Sequence, residues 1–358
     1  MYSVHEQILR EYDEQVADYL TLQDIVKAEL EKMLETNQVH VFPPSFRIKT
    51  RDSLKGKLLR KPEKYSHLTD LTDILGFRII CYFPDQVDEC ARLIERLFVI
   101  DYENSVDKRK LLDPTSFGYL SLHYICSLKP DIAWPEELTH LRFEIQLRTV
   151  LQHTWAEIEH DLGYKTEIGI PVSLRREFSR AAALLEVADN MFSSLKEYIS
   201  SYTAGVRERV ASDTAADIPL DLITLSEYIS HAEAMRVLLA EMTALSGASV
   251  REVSPENYLL RLQFLGVRTL GDLTELLNRE HDHALLLSRE VLSDPEIDEV
   301  VSTVGLHYIC RASLIFGPYD ENALMNYFRL GGAQESNARN RAQQILRRRA
   351  GLSLDQTR

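Results

Sequence analysis

Three observations predict an α+β domain followed by an all-helical one. Between residues 45 and 149, short segments alternate apolar and polar side chains with the period of two that marks strands. Residues 4–35, and most of the chain beyond 150, space their apolar residues by three and four, as helices do. A small-residue, polar stretch, SYTAGVRERVASDTAADIP (201–219), reads as a separator. The expected organisation is therefore a domain over 1–205, a linker over 206–219 and a helical domain over 220–358, the last regulatory or oligomerising.

The elements follow in order. Val4, Ile8, Leu9, Tyr12, Val16, Tyr19, Leu20, Ile25, Val26, Leu30 and Met33 line one long amphipathic helix, which VFPP (41–44) stops. Strands are predicted near 45–50, 76–83, 97–104, 119–127 and 141–149. Helices are predicted near 53–62, 68–74, 85–97, 150–162 and 171–202. From 220 to 350 the pattern is helical throughout, broken at SGAS, GVRTLGD, FGPYDE and RLGGAQ.

Composition narrows the functional classes. With 45% hydrophobic and 27% charged residues, the chain is composed like an ordinary globular protein. No apolar run approaches the roughly 18 residues that span a bilayer, so no membrane partner is expected. The N-terminus is too acidic for a signal peptide, and four cysteines without C-x-x-C spacing point to a reducing, cytoplasmic setting. A net charge of −14 argues against broad nucleic-acid binding. Residues 47–64 nevertheless hold eight basic side chains against two acidic ones, a local +6 that leaves −20 for the rest. A compact polyanion such as a nucleoside triphosphate suits that concentration; a solvated helix face would explain the same charges if they stood alone.

The strand faces sharpen the reading. Arg47 and Lys49 share a face opposite Phe46 and Ile48, and Arg78 faces away from Phe77 and Ile79, just after Asp73. Tyr119, Ser121 and His123 share a face, as do Arg142, Glu144, Gln146 and Arg148. Any antiparallel sheet can have a solvated side, but such sides favour Lys, Glu, Thr and Ser. Two carboxylates among arginines, a lysine, a histidine and a tyrosine suit metal-assisted phosphoryl transfer. Asp73 and Glu144 can hold Mg²⁺, and the cations neutralise the transferred group. No glycine loop of the phosphate-cradling kinds occurs, so side chains must hold any phosphates.

Taken in series, these segments resemble a known family. R-x-K (Arg47, Lys49), D-x-x-G-x-R (Asp73, Gly76, Arg78), G-Y-x-S-x-H (Gly118, Tyr119, Ser121, His123), E-x-Q-x-R-T (Glu144 to Thr149) and W-A-x-x-E-H (Trp155 to His160) are similar, in order and spacing, to the synthetase domain of RelA/SpoT alarmone synthetases over about residues 40–165. The resemblance implies a five-stranded mixed sheet flanked by helices, of nucleotidyltransferase-like type. It implies the transfer of a pyrophosphoryl group from ATP to the ribose 3′-OH of GDP or GTP, making (p)ppGpp and AMP. In that reading Arg47 and Arg78 clamp adenine, while Lys49, Ser53 and Lys57 face the ATP phosphates. Asp73 and Glu144 bind Mg²⁺, and Glu144 helps deprotonate the hydroxyl. Tyr119 stacks on the acceptor base, and Ser121, His123, Gln146, Arg148 and Glu159 complete the acceptor side.

Two departures from the family stand out. The Pro-Lys that many members carry before G-Y-x-S-x-H is missing, with Lys108, Arg109 and Lys110 as candidate replacements, so acceptor identity is the open point. Only about 45 residues precede Arg47, too few for the hydrolase domain of long members. Synthesis without hydrolysis is expected, with His160-Asp161 and His281-Asp282 incidental.

In the helical region, LQFLGVRTLGDLTELL (262–277) faintly resembles a helix-hairpin-helix, although a glycine turn between packed helices accounts for it better. The tail arginines Arg339, Arg341, Arg347, Arg348 and Arg349 suit either RNA or tRNA contact or the dipole of a terminal helix. A homo-oligomer is expected. The alternatives are the same chemistry on an adenine nucleotide or a tRNA 3′ end, and a non-catalytic nucleotide sensor.

Overall fold

The structure, a computed structural model, describes residues 4–61, 63–111, 121–130, 134–164, 172–294 and 296–355. The chain forms two compact units, Met1–Lys196 and Glu197–Arg358. Among the described residues no helix is long and apolar enough to cross a membrane.

The first unit opens with α1 (Val4–Thr36), which buries Ile8, Tyr12, Tyr19, Leu22, Val26, Leu30 and Met33 along one side. Then come β1 (Ser45–Ile48), α2 (Arg51–Arg60), a single 3₁₀ turn at Leu68–Asp70, β2 (Leu75–Cys81) and α3 (Pro84–Leu97). Thr50 caps α2 by accepting from the Ser53 backbone N–H at 3.3 Å. β3 (Val99–Ile100), β4 (Val106–Asp107), α4 (Lys108–Leu111), β5 (Leu122–Ser127), α5 (Glu136–Thr139), β6 (Phe143–Thr149), α6 (Val150–Tyr164) and α7 (Val172–Ala211) complete it, the last running on into the second unit.

The sheet order is β1-β2-β6-β5-β3, with β4 on β5. β2 and β6 run parallel and the other pairs antiparallel, so the sheet is mixed as expected, with one short strand more than five. The strand predicted over 97–104 splits because Asp101 accepts from the backbone and side-chain nitrogens of Asn104 at 3.1 and 2.8 Å. That turn diverts the chain from β3 into β4. Leu75, Phe77, Ile79 and Cys81 of β2 and Phe143, Ile145 and Leu147 of β6 all point to one buried face. Phe143 packs edge-on against Phe77 and Phe98. With this face sealed, the intervening residues of both strands are committed to the other one.

The second unit comprises α8 (Leu222–His231), α9 (Glu233–Ser246), β7 (Ser249–Arg251), α10 (Glu256–Phe264), α11 (Leu270–Leu292), β8 (Glu299–Val301), α12 (Val304–Phe316), α13 (Glu321–Leu330) and α14 (Glu335–Asp355). α12 is its central element, with Leu306, Ile309, Ala312 and Ile315 at 0% exposure. Two expectations are corrected here. The region is not wholly helical, since β7 and β8 pair in parallel. The stretch 206–219 is no linker either: α7 continues to Ala211, and Val206, Val210, Ala215 and Ile218 join this unit's core. Small polar residues suggested a tether, but the apolar minority among them falls on one side and is buried.

The turn at 265–269 is of the glycine-turn kind. Gly266 takes φ +90°, which a side chain disfavours, and Thr269 caps α11. A Cβ on Gly271 would lie 2.7 Å from the Ala216 carbonyl oxygen, so the close approach of the turn at 216 to the start of α11 requires glycine there.

Candidate active site

The polar face of the sheet is organised in rows by strand register. One row runs Arg47–Gly76–Glu144 across β1, β2 and β6, and the next runs Ser45–Arg78–Gln146–His123 on to β5. Gly76 lies between a guanidinium and a carboxylate, and a Cβ there would meet nothing within 4 Å. That empty position forms part of a cavity of about 330 Å³ whose lining includes Arg47, Asp73, Gly76, Arg78, Glu144 and Gln146.

Around the two carboxylates the contacts are specific. Lys49 and Lys57 each place Nζ 2.7 Å from Asp73, on opposite carboxylate oxygens. Burial pushes the Asp73 pKa up, but the two ammonium groups outweigh it and hold the carboxyl below its usual range. Glu144 faces His123 Nδ1 at 2.7 Å through Oε1 and accepts from Gln146 Nε2 at 2.9 Å through Oε2. Burial raises its pKa too, and His123 with Gln146 overcomes this, against a smaller opposing contribution from Asp73. Both carboxylates are therefore ionised near neutrality and close enough to sense each other.

The remaining expected residues that the structure describes do not line this cavity. Arg148 is 3% exposed and donates to Gln146 Oε1, acting through that amide. Ser121 is fully buried, and its carbonyl accepts from the Lys108 backbone N–H at 2.9 Å. Ser53 sits exposed in the first turn of α2, bonded to Thr50. Glu159 is half-buried on α6, and its charge acts on Lys108. Tyr119 lies outside the described residues.

One side chain, Glu157, adds to the expected set, and Lys108 stands out among the candidate replacements. Glu157 of α6 lines the cavity and accepts from Arg78 Nη1 at 3.0 Å. His153 and Glu157 share a helix face, and it is the packing of α6 over β2 that turns this face toward Arg78. Burial lowers the Lys108 pKa most, Glu144 raises it, Arg148 lowers it further and Glu159 raises it. Arg109, considered beside it, is engaged elsewhere, on Asp107 at 2.9 Å and Asp88 at 2.7 Å. The Lys110 side chain lies outside the described residues.

Chemically, the face offers two ionised carboxylates flanked by guanidinium and ammonium groups around an open cavity. Among the described residues no group of three or more His, Cys, Asp or Glu could hold a metal ion. Two carboxylates do fit a hard cation such as Mg²⁺ when phosphate oxygens and water complete its shell.

Residues 46–169 match the model of the region found in RelA and SpoT proteins. The chain is 27% identical to the GTP pyrophosphokinase YwaC of Bacillus subtilis over 178 residues, 46% of this chain and 80% of that protein. It is 30% identical to the GTP pyrophosphokinase YjbM of the same organism over 151 residues, 42% of this chain and 69% of that one. The crystal structure of small alarmone synthetase 2 from Bacillus subtilis aligns at 23% identity and a TM-score of 0.46, covering 52% of this chain and 99% of that one.

Proposed function

The chain belongs to the RelA/SpoT alarmone synthetase family, and from that premise we propose that it transfers the pyrophosphoryl group of ATP to the ribose 3′-OH of GDP or GTP. The observation that carries the proposal is the pair of ionised carboxylates, Asp73 and Glu144, sharing one cavity with Arg47 and Arg78.

The acceptor oxygen attacks the β-phosphorus, the bond between the α–β bridging oxygen and that phosphorus breaks, and AMP leaves. Glu144 accepts the hydroxyl hydrogen bond and takes the proton as the new bond forms. Its depressed pKa makes it a weak base, which suffices because phosphoryl transfer depends mainly on positioning and charge neutralisation. Asp73 and Glu144 would hold Mg²⁺, which when bound neutralises charge on the phosphates. Arg47 and Arg78 hold adenine between their guanidinium planes. Lys49 and Lys57 exchange Asp73 for phosphate oxygens as ATP arrives. Gln146, fixed by Arg148, keeps Glu144 aimed into the cavity, and Lys108 supports the acceptor side in place of the family's Pro-Lys.

The test is an acceptor screen on the purified chain with labelled ATP and Mg²⁺. GDP or GTP should yield AMP and a 3′-pyrophosphorylated guanine nucleotide. No AMP with any guanine acceptor, or label passing to tRNA or an adenine nucleotide instead, overturns it.

A further inference from the structure

The second unit contains a cavity of about 280 Å³ with four arginines in its lining, Arg261, Arg311, Arg341 and Arg348, beside Tyr327 and Phe328. α10, α12, α13 and α14 each contribute at least one of them. Among the described residues no carboxylate lines it; the nearby Glu290 is taken up by Arg348. Glu290 offsets part of this charge through Arg348 and Arg311, and a bound anion would offset the rest.

The arginines are not all consumed by packing. Arg349, the neighbour of Arg348 on α14, donates to the carbonyls of Leu314, Ile315 and Tyr319 at 2.8–2.9 Å and so ties α14 to the end of α12. Arg261 differs. Its guanidinium is held over the rings of Tyr258 and Tyr327, at 5.4 and 5.8 Å, while its buried Nε has no hydrogen-bond partner among the described residues. Gly331 leaves the space this guanidinium uses, since a Cβ there would fall 1.8 Å from Nη2. Arg341 lies over the Phe328 ring at 5.9 Å. Planar cations fixed by aromatic rings present their N–H forks in set directions, as phosphate recognition requires.

We propose that this cavity is a binding site for a small diphosphate-bearing molecule, separate from the candidate active site of the first unit. Its volume is at the lower end for small-ligand sites, which suits an inorganic or nucleoside diphosphate. A continuous nucleic acid would need a groove, whereas these arginines converge on a concavity.

Calorimetric titration of the full chain with inorganic pyrophosphate, and separately with a nucleoside diphosphate, tests the site. Arg311→Ala with Arg341→Ala should weaken binding by about tenfold or more, because each removes a charge-assisted contact. Lys49→Ala with Lys57→Ala, in the first unit, should leave this binding event in place. Arg341→Lys, which keeps the charge, should bind between the two, and circular dichroism checks that each variant is folded. Preference for the nucleotide over pyrophosphate would identify the source as a nucleoside diphosphate. Affinity unchanged by the Arg311/Arg341 pair, or binding of an RNA oligonucleotide but of neither small anion, overturns the proposal.

Discussion

His123 Nδ1 lies 2.7 Å from Glu144 Oε1, and the other Glu144 oxygen accepts from Gln146 at 2.9 Å. This clamp fixes the carboxylate on the polar face and keeps it ionised. Replacing Glu144 with Gln should lower turnover, measured as AMP release, by about a hundredfold or more, the scale of a lost catalytic proton acceptor. The thermal midpoint should barely move, because the Gln oxygen still accepts one bond. A variant that kept its rate would remove Glu144 from the chemistry.

Gly76 stands between Arg47 and Glu144, where a Cβ would meet no atom within 4 Å. Gly76→Val should therefore fold at least as stably, since β-branched residues suit strands better than glycine. It should also fill the cavity and weaken ATP binding about tenfold or more, at roughly 1.4 kcal/mol per decade. Unchanged ATP affinity in titration calorimetry would place the nucleotide elsewhere.

Lys108 and Arg109 are adjacent and both cationic, yet the structure separates their roles. Arg109→Ala cuts the ties to Asp107 and Asp88 and should cost about 1 kcal/mol or more in chemical denaturation. Lys108→Ala should leave stability nearly unchanged and raise the KM for the guanine acceptor severalfold, by removing a positive charge that faces Glu144 and Glu159. The reverse pattern would reassign them.

Asp73 carries a folded-state pKa below its ordinary value because Lys49 and Lys57 outweigh its burial. Such a group stabilises the fold fully above its unfolded pKa, and the contribution fades as pH falls through the lower folded value. Stability should therefore drop on acidification below about pH 4, and less steeply in Asp73→Asn, as equilibrium denaturation across pH 2–7 would show. Parallel curves for the two proteins would contradict the ion-pair account.

Much of the site was legible because strand periodicity is local. Alternation alone put Arg47, Arg78, Glu144 and Gln146 on faces opposite Phe46, Phe77, Ile145 and Leu147, and the structure brings those four to one cavity. Glu157 was not legible in the same way, since only the packing of α6 over β2 directs it to Arg78. Nor was the fate of Arg148, whose alternation suggested an accessible side chain but which is buried beneath its neighbours.

By itself, then, the sequence determined most element types, the polar face and the motif series, all functions of residue spacing within one segment; it did not give β7 and β8. The tertiary structure decided what spacing cannot reach. Register set Gly76 between Arg47 and Glu144, and folding brought Lys49, from the connection after β1, and Lys57, from α2, onto one carboxylate. Helix packing made the expected linker part of a core and gathered four arginines around one cavity. These depend on contacts between residues far apart in the chain, and such contacts exist only once each apolar face has found its partner.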